Sequence, residues 1–388
     1  MRALRLVTAA GLAGALLAFG AGAALDGCVL PTFETGELEG DAGAGTGGEG
    51  GGSRHDAGDA GAADGAVEAG PGPCVSVGPP FPPSGADDGQ TVGDIWLALH
   101  TIAFGDDGST PGFDLDRVCT CYEDAGPTCV GSSQACDAPG GVDNALAKLF
   151  AQIKAAIPAF SSLSFSEGAD MGKWTLLLKI TGYNGLADDP SVGIALYVSP
   201  GGVSPKWDGT DVWPVAASSV SPDGGIASPL YQTDGAYVAG HVLYGGVKSL
   251  SIRAAGGNGS NFQVSLGGGG IMGTLEPDSA SYRLTNGTIA GRVSTQDLFL
   301  ALSSYRDDMG TPFCVPAPPL GSVAIQNICA ARDIRSSAGD PLSLPCDALS
   351  LGLGFVADPV APSVAVSPVV APTKTCPPDQ DFANSTCP

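Results

Sequence analysis

The chain has 388 residues, 40 of them acidic against 17 basic, for a net charge of −23. That balance disfavours contact with nucleic acid or anionic headgroups and suits a soluble exterior, divalent cations or basic partners. With 11 cysteines and 3 histidines, the composition points to disulfide chemistry rather than to a histidine-centred active site.

Arg2 and Arg5 precede an apolar run over 6–25 that ends in small residues, the layout of a secretory signal peptide over 1–27. An uncleaved span of about 20 apolar residues is the competing expectation, but the run is too rich in Ala and Gly to suit a membrane interior. Ala21-Gly22-Ala23 suits an ordinary signal peptidase, whereas Leu25-Asp26-Gly27-Cys28 resembles the bacterial lipobox and departs from it at Asp26. Parity separates the two. An exported chain disfavours an orphan thiol, and a lipid on Cys28 leaves an even set for disulfides: Cys74, Cys119, Cys121, Cys129, Cys136, Cys314, Cys329, Cys346, Cys376 and Cys387.

Residues 28–73 are almost entirely Gly, Ala, Asp and Glu. They offer little apolar surface to offset the entropy of ordering, so a self-repelling tether is expected, with a reach of roughly 35 to 40 Å. Next comes a Cys-rich segment over 74–141, where local disulfides are expected. Zinc on Cys119 and Cys121 is the alternative, disfavoured by export and by the lack of a nearby histidine. Asp106, Asp114 and Asp116, with glycine between them, form the best candidate for calcium, although the spacing is not that of an EF-hand.

A β-rich globular domain is expected over 142–375 and a Cys-containing tail over 376–388. Val142, Leu146, Leu149, Phe150, Ile153 and Ile157 share a helical face, with Asp143 as N-cap and Pro158 as stop. Strand-like runs follow at 174–180, 192–198, 237–244, 250–253, 262–266 and 271–275, and Asn286-Gly287 reads as a hairpin turn. Ser294 and Asp297 form a capping-box-like pair before a second helix. A third helix is expected over 323–334 and a closing edge strand or extended tail over 349–370. Without a repeat of fixed period, the pattern fits a disulfide-stapled, β-sandwich-like domain with a few covering helices better than a propeller or solenoid.

For chemistry, G-x-S-x-G and H-E-x-x-H do not occur in the sequence. Trp207 and Trp213 flank Asp208 and Asp211 in a turn-rich stretch, where indole faces could stack on sugar rings and carboxylates could accept hydroxyl hydrogen bonds. The competing expectation is that both rings plug the end of the core. His100 and His241 are expected to be satisfied or solvent-facing strand residues.

The lipobox-like Cys28, the Gly/Ala/Asp tether, and the segments Gly141-Val-Asp-Asn144 and Gly172-Lys-Trp-Thr-Leu-Leu-Leu-Lys-Ile-Thr-Gly-Tyr183 resemble the lipoprotein sets of myxobacteria and their relatives. No activity is attached to those families. With Val29 rather than aspartate after the acylated cysteine, the resemblance implies the outer membrane, facing the periplasm or the exterior. The expected function is a non-enzymatic binding module, tethered to the membrane by its lipid, with a glycan or an envelope protein as partner. The alternatives are a carboxylate-dependent glycoside hydrolase and a passive envelope component.

Overall fold

The computed structural model describes residues 78–387 apart from 86–88, 121–128, 132–135, 157–160, 258–260, 280, 342 and 369–373. The signal peptide, Cys28, the tether, Cys74 and Cys121 lie outside the described residues. The described residues form ten strands: β1 Ile95–Ala103, β2 Thr175–Thr181, β3 Asp189–Ser199, β4 Val215–Ala216, β5 Tyr231–Ala239, β6 Val242–Ala255, β7 Asn261–Asp278, β8 Ser281–Ser294, β9 Ala348–Pro359 and β10 Val366–Ser367. Four α-helices accompany them among the described residues: α1 Ala145–Ala156, α2 Ser162–Asp170, α3 Thr295–Ser304 and α4 Leu320–Ala330.

The main sheet closes into a barrel in the order β1-β2-β3-β5-β6-β7-β8-β9, with every neighbour antiparallel. The β-rich class expected from the sequence is present, but one sheet closed on itself replaces the two facing sheets of a sandwich. Closure rests on β1 and β9. β1 lies inside the expected Cys-rich segment and pairs with both β2 and β9, so that segment supplies a barrel strand. β9 is flanked by β8 and β1 rather than standing at an edge.

Alternate residues along the strands fill the interior. Leu97, Leu99, Leu178, Leu196, Ile252, Val264, Leu351 and Leu353 are buried in one core, to which α1, α2 and α3 add Phe150, Phe165 and Phe299. The opposite faces of β1, β2 and β3 carry Trp96, Leu177 and Tyr197. They form a second core under the 200–230 loop with Trp213 and Val215. On β6 and β7, by contrast, the residues between the core positions are Ser251, Arg253, Gln263 and Ser265, none of them buried. An apolar interior with a polar exterior there is the reverse of a lipid-facing barrel, and no helix among the described residues is long and apolar enough to cross a membrane.

One expected strand and one expected turn differ from what the chain adopts. Run 237–244 is a hairpin, with Gly240 and His241 at φ 58° and 65° in the two-residue connection of β5 to β6. Asn286-Gly287 is not a hairpin turn but a bulge inside β8: Asn286 sits at φ 50°, and the registers with β7 and β9 both slip beside it. Such a bulge bends a strand as barrel closure requires. Gly287 is needed because an added Cβ would stand 2.5 Å from the Phe355 ring.

Helix α1 is capped by Asn144, whose Oδ1 accepts from Ala147 N at 3.2 Å, and not by Asp143. The capping pair before α3 is present: Ser294 Oγ accepts from Asp297 N at 3.0 Å. All eight described cysteines are disulfide-bonded, including the pairs Cys129–Cys346, Cys314–Cys376 and Cys329–Cys387. This state belongs to an extracellular or otherwise oxidising compartment. The last two pairs tie the expected C-terminal tail to the body, where Phe382 is buried against Phe299 and Phe313.

Candidate functional site

Three segments meet over α1 and the β8–β9 face: the loop after β1, the turn before α1, and the stretch before β9. Asp143 N donates to Phe113 O at 3.0 Å, and Asp143 Oδ2 accepts from Leu115 N at 2.7 Å. This short bridge draws the carboxylates of Asp114, Asp116 and Asp143 together, with an oxygen of each within 4.8 Å of the others. Asp114 Oδ1 accepts from Arg117 N at 2.5 Å, while its Oδ2 is buried and has no hydrogen-bond partner. Gly141, at φ 71°, keeps that oxygen clear, since an added Cβ would stand 3.1 Å from it.

Two more carboxylates border the set. Asp137 accepts from Thr120 N at 2.6 Å, and Asp333 accepts from Ser350 N at 2.9 Å and Ser350 Oγ at 2.5 Å. Burial pushes the Asp143 carboxyl up to about 9, with Asp116 and Asp137 adding to it. It pushes Asp137 up to about 7 and Asp333 up to about 6. The buried Arg292 lies beside them, where desolvation lowers its pKa and Asp143, Asp116 and Asp333 oppose that. Its guanidinium donates to the carbonyls of Gly268 and Leu115 rather than to a carboxylate. The donor set is therefore all oxygen and electron-rich, the chemistry of a hard divalent cation such as calcium.

Asp106 does not belong to this set, although the sequence grouped it with Asp114 and Asp116. Its carboxylate pairs with Lys154 Nζ at 2.9 Å and accepts from Ser162 Oγ, which joins the loop to α1 and α2. Asp143, Asp137 and Asp333 were not singled out as ligands. They lie 23 to more than 200 residues from Asp114, and no local spacing announces them. Clefts flank the cluster. One, of about 440 Å³, includes Asp137, Asp333 and Lys148, and another, of about 340 Å³, includes Asp116, Arg292 and Arg335.

The tryptophan segment forms a second site. Asp211 is buried and accepts from Lys206 N at 3.0 Å and Trp207 N at 2.8 Å, holding Trp207 at φ 56°. Asp208 is exposed and closes its own turn by accepting from Thr210 N and Oγ1. The two indoles are 5.7 Å apart and tilted by 43°. Trp213 is fully buried in the second core, and only Trp207 reaches the surface. There it stacks on His100, with ring centroids 4.0 Å apart and planes within 5°.

His100 faces outward from β1, and its two nitrogens meet Asp170 Oδ1 at 2.6 Å and Asp358 Oδ2 at 2.7 Å. The hydrogen bond that His100 donates to Asp358 is the largest of the effects that raise its pKa above the ordinary 6.5, against partial desolvation. Arg283 in turn meets Asp358 at 3.1 Å. This site and the carboxylate cluster do not converge. Ser350, which binds Asp333, and Asp358, which binds His100, are eight residues apart on β9, or roughly 26 Å at about 3.3 Å per residue.

Comparison with protein-family models, with characterised proteins and with solved structures found no match.

Proposed function

We propose that the chain is an exported envelope lipoprotein, anchored through Cys28 and held off the membrane by its tether, whose barrel is a calcium-stabilised, non-enzymatic binding module. The observations that carry the cation are the convergence of Asp114, Asp116 and Asp143 and, beside it, the buried, unpartnered Asp114 Oδ2. A cation there offsets the repulsion among buried carboxylates and clamps the loop after β1 onto the turn before α1. The non-enzymatic reading is supported by His100, whose nitrogens are both held by carboxylates, and by His241, which is exposed in a tight turn.

Parity supports the anchor. With eight described cysteines in disulfides out of 11, an odd number of Cys28, Cys74 and Cys121 is left without an intrachain bond, and Cys28 stands in the lipobox-like position. The partner expected at the Trp207 surface is a glycan or an envelope protein, and the membrane is the outer one.

The test is calorimetric titration of the mature, disulfide-intact protein with calcium, alongside mass spectrometry of its N-terminus. Saturable calcium binding and a diacylglycerol on Cys28 are expected. Absence of binding removes the cation, and an unmodified chain beginning near Ala24 removes the anchor.

The second reading, a carboxylate-dependent glycoside hydrolase, draws on Asp137 and Asp333 sharing one cleft. Turnover of oligosaccharides that Asp137→Asn abolishes would establish it.

A further inference from the structure

The barrel wall is incomplete beside β6. β5 begins at Tyr231, opposite Leu196 of β3, and pairs with β6 only as far as Val247, while β6 continues to Ala255. Residues 248–255 of β6 therefore have β7 on one side and no strand on the other among the described residues. Across that gap stand the end of β3 and the residues entering β2, leaving a cleft of about 290 Å³ lined by Lys173, Trp174, Ser199, Arg253 and Asn261, with Pro200, Ala255 and Pro368 as its apolar walls.

Arg253 is the anomaly. It is half-buried, and among the described residues its guanidinium has no hydrogen bond and no ion pair. Desolvation lowers its pKa, and no neighbouring carboxylate opposes that.

The other described arginines that are not exposed all have partners. Arg283 has Asp358 and Arg335 has Asp340, while Arg292, Arg306 and Arg332 donate to backbone carbonyls. The exception occurs in a chain of net charge −23, where carboxylates are plentiful. Partial desolvation of a charge without a counter-charge is unfavourable, and a bound anion would offset it. The amide of Asn261 on β7 has no side-chain hydrogen bond either. Lys173 spends one N–H on the carbonyl of Gly257, and its ammonium has two more to offer. Three donors thus face one small cleft that contains no carboxylate.

We propose that this cleft binds a small ligand through one oxyanion, a carboxylate or a phosphate, held by the Arg253 guanidinium with help from Asn261 and Lys173. A guanidinium presents parallel N–H groups that match two oxygens of such an anion, and the cleft volume suits a group of monosaccharide size. The negative field of the protein repels anions in general, so saturable uptake reports a local site. The proposal deepens the reading of the barrel as a binding module and rests on it for the meaning of capture. It is independent of calcium, because Arg253 has no part in the carboxylate cluster.

The experiment is isothermal titration of the mature, disulfide-intact protein with galacturonate, with inorganic phosphate and with neutral galactose, in chelator and again in calcium. Saturable binding of galacturonate identifies a carboxylate site, saturable binding of phosphate a phosphate site, and galactose should not bind. Arg253→Gln should weaken binding at least tenfold, Asn261→Ala severalfold, and exposed Lys374→Gln not at all, with circular dichroism confirming each fold. Failure of both anions to bind, equal binding of galactose, or undiminished binding by a folded Arg253→Gln or Asn261→Ala protein overturns the proposal. The calcium arm keeps the two readings apart, since anion binding should be the same with and without the cation.

Discussion

The imidazole of His100 lies parallel to the indole of Trp207 at 4.0 Å, and the same imidazole joins Asp170 at the end of α2 to Asp358 on β9. A carboxylate at each nitrogen favours the imidazolium over the neutral ring, and a cation over an indole face is itself favourable. One side chain thus pins a helix end, a barrel strand and the 200–214 loop together.

The pH dependence follows from that arrangement. The folded pKa of His100 is raised, so its contribution to stability is full below the unfolded value near 6.5 and disappears as pH rises through the folded value. An NMR titration should give a midpoint above 6.5 that falls in Asp358→Asn and falls less in Asp170→Asn, following the larger effect of the Asp358 hydrogen bond. His100→Gln should cost about 1 kcal/mol at pH 6 and little at high pH. A midpoint unmoved by Asp358→Asn would contradict this arrangement.

Asp211 holds the loop that brings Trp207 to His100. Trp207 occupies the left-handed region at φ 56°, which is unfavourable by about 1 to 2 kcal/mol for a residue with a Cβ. Two backbone N–H groups on a buried carboxylate offset that. Asp211→Ala should lose about 2 to 3 kcal/mol and shift tryptophan emission to the red as Trp207 leaves its ledge. Asp208→Ala, at the exposed neighbour, should change stability little in the same denaturant titration.

Calcium should raise the thermal midpoint of the native protein, by about 2.7 kcal/mol of stabilisation at a concentration one hundred times the dissociation constant. Asp114→Asn and Asp143→Asn should abolish the response. Without calcium, Asp143→Asn should be close to neutral in stability, because burial already keeps that carboxyl protonated at pH 7. Asp106→Asn should keep the response while losing the contact with Lys154. Scanning calorimetry with and without chelator reads all three.

Removing Cys329–Cys387 by paired alanine substitution should destabilise the protein by about 4 kcal/mol, the loop-entropy expectation for a separation of 58 residues. The C-terminal segment carrying Phe382 should then be cut first in limited proteolysis, because Cys314–Cys376 would hold only its beginning. Unchanged protease resistance would mean that the packing of Phe382 on Phe299 and Phe313 suffices by itself.

The sequence was informative where structure is local. Strand-like apolar runs located β2 and β3, helical spacing located α1, and the Ser294 and Asp297 pair marked the start of α3. It misled where a local signal had two structural uses. Asn-Gly tolerates positive φ in a hairpin turn and in a bulge alike, and the requirement to bend β8 around a barrel selected the bulge. Trp207 and Trp213 read as a matched pair, yet one is half-exposed beside His100 and the other is entombed under the loop.

What the sequence determined by itself is the β-rich class, the disulfide chemistry and the acidic character, because composition, period and cysteine number are properties of the chain. Whether the sheet split into a sandwich or closed into a barrel was decided only in three dimensions, since β1 and β9 meet across more than 240 residues. The same holds for both sites. Asp116 acquires Asp143 and Asp333, and His100 acquires Asp170 and Asp358, through barrel closure and loop packing. The physical reason is that burial and Coulomb interaction depend on distance in space, to which spacing along the chain is no guide.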